Sequence, residues 1–223
     1  MFCEHQKEKM EDIILLGLGG HAKSVIDCIE RQGKYRIVGF LDKEERGKVC
    51  YRGYEVIGED DDLDRFYRQG VTNAFVTVGF LGQSTVRNLL YDRLRQIGFR
   101  LPNIIDPSAV VADDVVLGEG NFIGKLAMLN ADVKIGSMCI INSGALIEHE
   151  CQVGDFSHIS VGTVLCGGVT VGRETFVGAG STVIQGITVG EHCIVAAGTT
   201  LRKNVKDYEM AYEMNGRRTR SLK

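Results

Sequence analysis

From Val111 to Leu201 an aliphatic residue returns at every sixth position without a slip: Val111, Leu117, Ile123, Leu129, Ile135, Ile141, Ile147, Val153, Ile159, Leu165, Val171, Val177, Val183, Val189, Val195 and Leu201. A period of six fits neither the 3.6-residue helical turn nor the two-residue alternation of an ordinary strand. It fits one short parallel strand and one tight turn per hexad. Three hexads then close a triangular coil of about eighteen residues, and the whole run gives about five coils. Each aliphatic is expected to point into the axis of this prism and to stack on its equivalents above and below. The residue two places earlier is small or apolar (Ala109, Val115, Ala127, Val133, Cys139, Ala145, Cys151, Ser157, Thr163) and is expected to fill a corner. Glycine often follows the aliphatic, at 118, 124, 136, 154, 172, 178 and 190. There it is expected to permit turn conformations that a Cβ would oppose.

The repeat accounts for an odd composition: of 28 glycines in 223 residues, fifteen lie between 111 and 201, beside two prolines and no tryptophan in the whole chain. With 44% hydrophobic and 25% charged residues the chain can bury a core, and disorder or a collagen-like fold is excluded. A net charge of −3 supplies no basic field for nucleic acid or an anionic membrane. No run approaches the roughly 18 apolar residues of a membrane span, and the first residues are charged where a secretory leader would be apolar, so a cytoplasmic protein is expected. The seven cysteines (3, 28, 50, 139, 151, 166, 193) contain no CxxC, and three of them occupy corner positions of the repeat. Reduced, packed thiols are expected, not a disulfide framework or a catalytic nucleophile.

The first hundred residues follow another pattern. An apolar strand over Ile13 to Leu16 runs into the glycine loop Gly17-Leu18-Gly19-Gly20-His21, then into a helix over Ala22 to Arg31 ended by Gly33, then into a strand over Arg36 to Leu41. This βαβ unit, a further strand (Ala74–Val78), a helix (Ser84–Gln96) and a closing strand (Asn103–Ile105) predict a small α/β Rossmann-like domain. The expected division is an N-terminal extension over 1–11, the α/β domain over 12–107, the repeat domain over 108–203 and a tail over 204–223. Asp106-Pro107 marks the main junction.

Two constellations carry chemistry. The glycine loop opens a helix, so its amides and the helix dipole suit a phosphate, and Asp42 ends the second strand where dinucleotide folds place a ribose-binding acid. In the middle coils, His149 lies between Glu148 and Glu150, which can orient its ring and raise its basicity. His158 follows nine residues later, half a coil away. Within one copy the two rings are therefore expected on opposite sides of the prism, able to meet only across a subunit interface. A zinc site of the γ-carbonic anhydrase kind would need His192 as third ligand, almost two coils away, and is not expected.

The chain resembles the NeuD/PglD-type sugar acetyltransferases, a branch of the hexapeptide-repeat acyltransferases. The resemblance rests on Gly19-Gly20-His21, Phe40-Leu41-Asp42, Val78-Gly79, Asn142, Ile147-Glu148-His149-Glu150-Cys151 and Gly154-Asp155-Phe156-Ser157-His158. It implies that the repeat is an all-β left-handed parallel β-helix and that the protein is a homotrimer with acetyl-CoA between neighbours. It implies an acetyl-CoA-dependent transferase acting on the amine of a nucleotide-linked amino sugar, such as a UDP-4-amino-4,6-dideoxy sugar, without a metal. By the same resemblance His149 is the general base, Glu150 tunes it and Asn142 lies beside it. His158, Gly167, Ala179 and Ala197 fall where the family holds acetyl-CoA, while Gly19, Gly20, His21, Asp42, Lys43 and Gly79 fall where it holds the nucleotide sugar. Sialic acid O-acetylation and a non-catalytic nucleotide-sugar-binding scaffold are the alternatives. The chain departs from the family pattern at Phe80, where a polar residue is usual, and at its ending over 211–216.

Overall fold

The computed structural model describes residues 10–44, 47–49, 51–82, 85–213 and 217–221. The N-terminal domain is built on a parallel sheet of four strands, β1 (Glu11–Leu16), β2 (Tyr35–Leu41), β3 (Val56–Gly58) and β4 (Asn73–Val76), in the order β3-β2-β1-β4. Ile13 to Leu16 of the inner strand β1 are fully buried, as expected of a strand covered on both faces. Helix α1 (Gly20–Gln32) packs Ala22, Val25, Ile26 and Ile29 on one side, and Gly33 stops it in a left-handed conformation at φ 66°. Helices α2 (Leu63–Arg68) and α3 (Val86–Ile97) bury Leu63, Phe66, Leu90 and Leu94 against the other. Strand β3 and helix α2 are too short to stand out in the sequence.

The strand expected to close this sheet does not do so. Ile104–Ile105 forms β5, which pairs with Phe122–Ile123 of the repeat domain. The physical reason is register: Ile105 lies six residues before Val111, in phase with the hexads, so the apolar pair continues the repeat instead.

Sixteen two-residue strands follow, β6 to β21, from Val110–Val111 to Thr200–Leu201 at steps of six. Those from β6 to β18 each pair in parallel with the strand eighteen residues on, and the second residue of every one of the sixteen is the aliphatic of the repeat. The prism has a first face containing β5, β8, β11, β14, β17 and β20, a second containing β6 to β21 by threes, and a third containing β7 to β19 by threes. Strands β22 (Glu209–Glu213) and β23 (Arg217–Ser221) extend the first face as a hairpin. Of the expected corner residues, those from Ala127 to Thr163 are buried and Ala109 and Val115 partly so, and four polar corner residues share one habit. Ser157, Thr163, Thr175 and Ser181 each donate a hydroxyl to the carbonyl fifteen residues later, at 2.8–3.1 Å. Cys139 and Cys151 direct their thiols the same way, and burial raises both thiol pKa values, that of Cys139 to about 12.

The glycines after the aliphatics are required for a reason other than turn conformation. Left-handed φ occurs elsewhere, as at Gly144, Gly162 and Gly180. A Cβ at Gly154 or Gly172 would instead stand 2.6 Å from the backbone nitrogen of the coil above. Close approach of successive coils therefore excludes a side chain.

The first face carries the N-terminal domain. Its outward Ile104, Phe122 and Ile140 join a core with Phe80, Phe75 and Ile29. At the seam the carboxylate of Asp106, shut off from solvent, accepts from Arg31 at 2.9 Å, pairs with Lys125 at 3.3 Å and accepts from the Ser108 amide and hydroxyl. Lys125 also pairs with Asp27 of α1. Docking thus combines apolar burial with a charged clasp.

Candidate active site

The residues singled out in the sequence fall into three groups in one copy of the chain. His149 sits on the corner between β12 (Leu146–Ile147) on the second face and β13 (Gln152–Val153) on the third. Its Nδ1 donates to Glu150 Oε2 at 2.9 Å, which leaves Nε2 as the basic nitrogen. The ring lies against Gly167 of the coil above: a Cβ there would stand 2.7 Å from Nε2. The Gly168 amide fastens the His149 carbonyl at 2.9 Å. Glu150 adopts φ 62°, a left-handed backbone that few non-glycine residues take. The pair is exposed, His149 at 57% and Glu150 at 66%, on the outside of the prism.

The second group lies on the opposite side. His158 of β14 (His158–Ile159) points outward from the first face yet is buried, because the turn after β4 covers it. Its Nδ1–H donates to the Phe80 carbonyl at 2.7 Å, so Nε2 accepts from the Asn142 amide at 3.2 Å. Burial chiefly, opposed by the Phe80 bond and aided by the Arg87 charge, lowers the His158 pKa to about 4. A cavity of about 550 Å³ opens there, bounded by Gly20, His21, Gly79, Asn142, His158 and Val161 among others. His21 meets Phe122 edge-on at 4.9 Å, and its Nε2 is buried without a hydrogen-bond partner. Its pKa is lowered to about 3, by burial first and then by Arg87 and His158. The imidazole walls of the cavity are therefore neutral at physiological pH.

Ala179 and Ala197 extend this second group along the prism. Ladder bonds from Gly162 to the Ser143 carbonyl, Gly180 to that of Val161 and Gly198 to that of Ala179 stack Ser143, Val161, Ala179 and Ala197 in one corner column. Gly167 does not belong to it; it accompanies His149. Asn142 likewise contacts His158 and not His149 within a copy.

The third group is the glycine loop. Helix α1 has no side-chain cap and no acid in its first turn, which leaves its N-terminus open to an anion. Asp42 Oδ2 accepts from the Leu18 amide at 2.9 Å, and Oδ1 accepts from the Glu44 amide, so this acid shapes the loop. Lys43 is exposed beside it. A smaller cavity of about 250 Å³, lined by Leu18, Gly19, Ile26, Phe40 and Tyr51, adjoins the loop. Gly17 is the sterically required glycine, since at φ 100° its Cβ would stand 2.6 Å from the Val78 side chain. Thr77 fastens the same loop through the Leu16 carbonyl at 2.8 Å.

Residues 12–94 match the PglD N-terminal domain family, 114–149 the bacterial transferase hexapeptide family (six repeats) and 168–203 the hexapeptide repeat of succinyl-transferase. PerB from Caulobacter crescentus, solved with CoA and GDP-perosamine, is 34% identical, with 96% of this chain and 99% of that one aligned at a TM-score of 0.87. The chain belongs to the NeuD/PglD-type sugar acetyltransferases. A second member of similar shape is the acetyltransferase domain of PglB from Neisseria gonorrhoeae, solved with acetyl coenzyme A. It is 28% identical over 94% of this chain and 99% of that one, with a TM-score of 0.86. An uncharacterized protein of Acanthamoeba polyphaga mimivirus is 31% identical over 112 residues, which are 50% of this chain and 21% of that protein. Membership of this family fixes the hand of the prism as left and the class of chemistry as CoA-dependent acyl transfer.

Two contributors escaped the sequence. Phe80 stood out as a departure, but its backbone carbonyl, not its ring, reaches His158. Arg87 is buried at 2% exposure. The signal was available, since Arg87 shares the buried stripe of α3 with Leu90 and Leu94, where a cation is out of place.

Proposed function

We propose that the protein transfers the acetyl group of acetyl-CoA to the amine of a nucleotide-linked amino-deoxy sugar in a site completed by two copies of a cytoplasmic homotrimer. The second face of the prism carries this reading. Its outward residues Val110, Met128, Leu146 and Val164 form an apolar stripe, two of them well exposed. The His149–Glu150 pair borders one edge of that face, and the His158–Asn142 cavity with the Val161, Ala179 and Ala197 column borders the other. Packing such faces around a threefold axis brings His149 of one copy to the cavity of the next.

The nucleotide sugar lies along the open end of α1, its diphosphate on the Gly19, Gly20 and His21 amides, with Asp42, Lys43 and Gly79 beside it. The GDP-perosamine of the Caulobacter relative is a ligand of this chemical kind. Acetyl-CoA runs along the corner column with its thioester near His158 and Asn142, against Gly167 of the neighbour. His149 Nε2 takes a proton as the sugar nitrogen attacks the thioester carbonyl, and Glu150 steadies the imidazolium through Nδ1–H. The C–N bond forms, the C–S bond breaks, and the CoA thiolate collects the proton from His149. Backbone amides of the cleft near Gly167 stabilise the tetrahedral oxyanion.

The test is His149→Ala with a thiol-release assay against UDP-, GDP-, dTDP- and CMP-linked amino sugars and a hydroxyl acceptor. Turnover should fall about 10²–10⁴-fold while acetyl-CoA affinity is kept. Turnover close to that of the unmodified protein would sink the assignment.

A further inference from the structure

Arg87 enters the interior from the first turn of α3. Its guanidinium donates to the Val78 carbonyl at 2.8 Å, just beyond β4, and to the carbonyl of Met138 on a corner of the prism. It thus ties the N-terminal domain to the β-helix. Its Nε is buried with no hydrogen-bond partner, and among the described residues no carboxylate pairs with it. Burial lowers its pKa to about 10, which still leaves it charged at neutral pH. Burying a cation without an opposite charge carries a desolvation cost that two carbonyl bonds must offset, which makes it an expensive way to gain stability alone.

The Val78 carbonyl lies two residues before the Phe80 carbonyl that receives His158 Nδ1–H. We propose that Arg87 is a positioning residue for His158: by anchoring the Val78–Phe80 turn to the prism, it fixes the Nδ1–H tautomer and leaves Nε2 as the acceptor facing Asn142 and the cavity. The ionisable groups around the guanidinium are His21 from α1, His158 from β14 and the Cys139 thiol from the corner before β11 (Ile140–Ile141). Its charge opposes protonation of both imidazoles, so the same contact that orients His158 keeps its acceptor lone pair available. The importance for catalysis rests on the reading that His158 serves the acetyl-CoA cleft; the tautomer itself does not.

The experiment uses full-length protein with ¹⁵N-labelled histidine, His158→Gln to assign the resonance, and the variants Arg87→Met and Arg87→Lys. In the unmodified protein His158 should show a single Nδ1–H tautomer at pH 7. In folded Arg87→Met the two tautomers should interconvert and the titration midpoint should rise toward the ordinary histidine value, with KM for acetyl-CoA increasing about tenfold. Arg87→Lys should restore the charge, the low midpoint and most of the single tautomer. An unchanged tautomer and midpoint in folded Arg87→Met would overturn the proposal, as would an Arg87→Lys protein that folds yet titrates like Arg87→Met. Should Arg87→Met not fold, Arg87→Gln, which removes the charge and the fork but keeps a polar side chain, decides in its place: interconverting tautomers and a raised midpoint support the proposal, and an unchanged tautomer and midpoint refute it. The spectrum is read whether or not the protein acetylates any sugar, so failure here and failure of the His149→Ala test are separate results.

Discussion

The imidazole of His149 rests on the bare α-carbon of Gly167, where a Cβ would come within 2.6 Å of Cε1 and 2.7 Å of Nε2. Gly167 has ordinary φ, so alanine is tolerated by the backbone and its only effect is to push the ring. Gly167→Ala should lower kcat by about 10²-fold through displacement of the proposed base, with the melting temperature almost unchanged. Steady-state kinetics beside calorimetric melting checks this.

Glu150 combines a hydrogen bond to His149 with a left-handed backbone. Glycine at this position relieves backbone strain of about 1 kcal/mol, which for a chain of this size raises the melting temperature by up to about 2–4 °C. Glu150→Gly should therefore be at least as stable as the unmodified protein and slower. Glu150→Gln, which keeps the strain, should be slower without the gain in melting temperature.

The proposed division of the site between copies predicts complementation. His149→Ala and His158→Ala damage different halves of each site, so neither homotrimer should be active. Co-refolded one to one, the mixture should recover up to about a quarter of full activity, the share of interfaces that hold both intact histidines. Recovery absent from a mixture shown by native mass spectrometry to contain mixed trimers would refute the division of the site between copies.

His21 and His158 set the acid side of stability. Both have folded pKa values, about 3 and about 4, below the ordinary 6.5. The unfolded chain therefore binds more protons below pH 6.5, and the stability present above that pH is lost as pH falls toward 4. Denaturation midpoints should be flat from pH 7 to 8 and decline from 6.5 to 4. His158→Gln should make the decline shallower; an unchanged slope would show that His158 does not contribute.

Asp106→Ala removes the buried anion of the interdomain clasp and leaves Arg31 and Lys125, both partly exposed, without it. A loss of about 2–3 kcal/mol is expected, at the lower end for a buried pair because the cations reach solvent. Urea denaturation measures it.

The prism was legible because its constraint is local and repeated: each hexad states the same inward aliphatic and corner residue. The half-coil separation of His149 and His158 also followed from counting. The contact of Asn142 with His158 did not, since residues sixteen apart meet only where one face turns into the next and a side chain reaches back across the corner. The cover on His158 was hidden for a stronger reason. It depends on how a second domain docks, and the docking atom is a backbone carbonyl that any residue would carry. Strand β5 was misassigned because two apolar residues suit either sheet, and only their phase with the hexads decides.

The glycines that touch the coil above make the prism a ruler. They leave no slack between rungs, so Val161, Ala179 and Ala197 stand at successive strand spacings of roughly 4.8 Å. Side chains along that corner can be enlarged or trimmed, but their heights move only in whole rungs. Any ligand bound along that corner is therefore measured in whole rungs, and its contacts shift only by changing which rung bears the larger residue or by gaining or losing a complete coil.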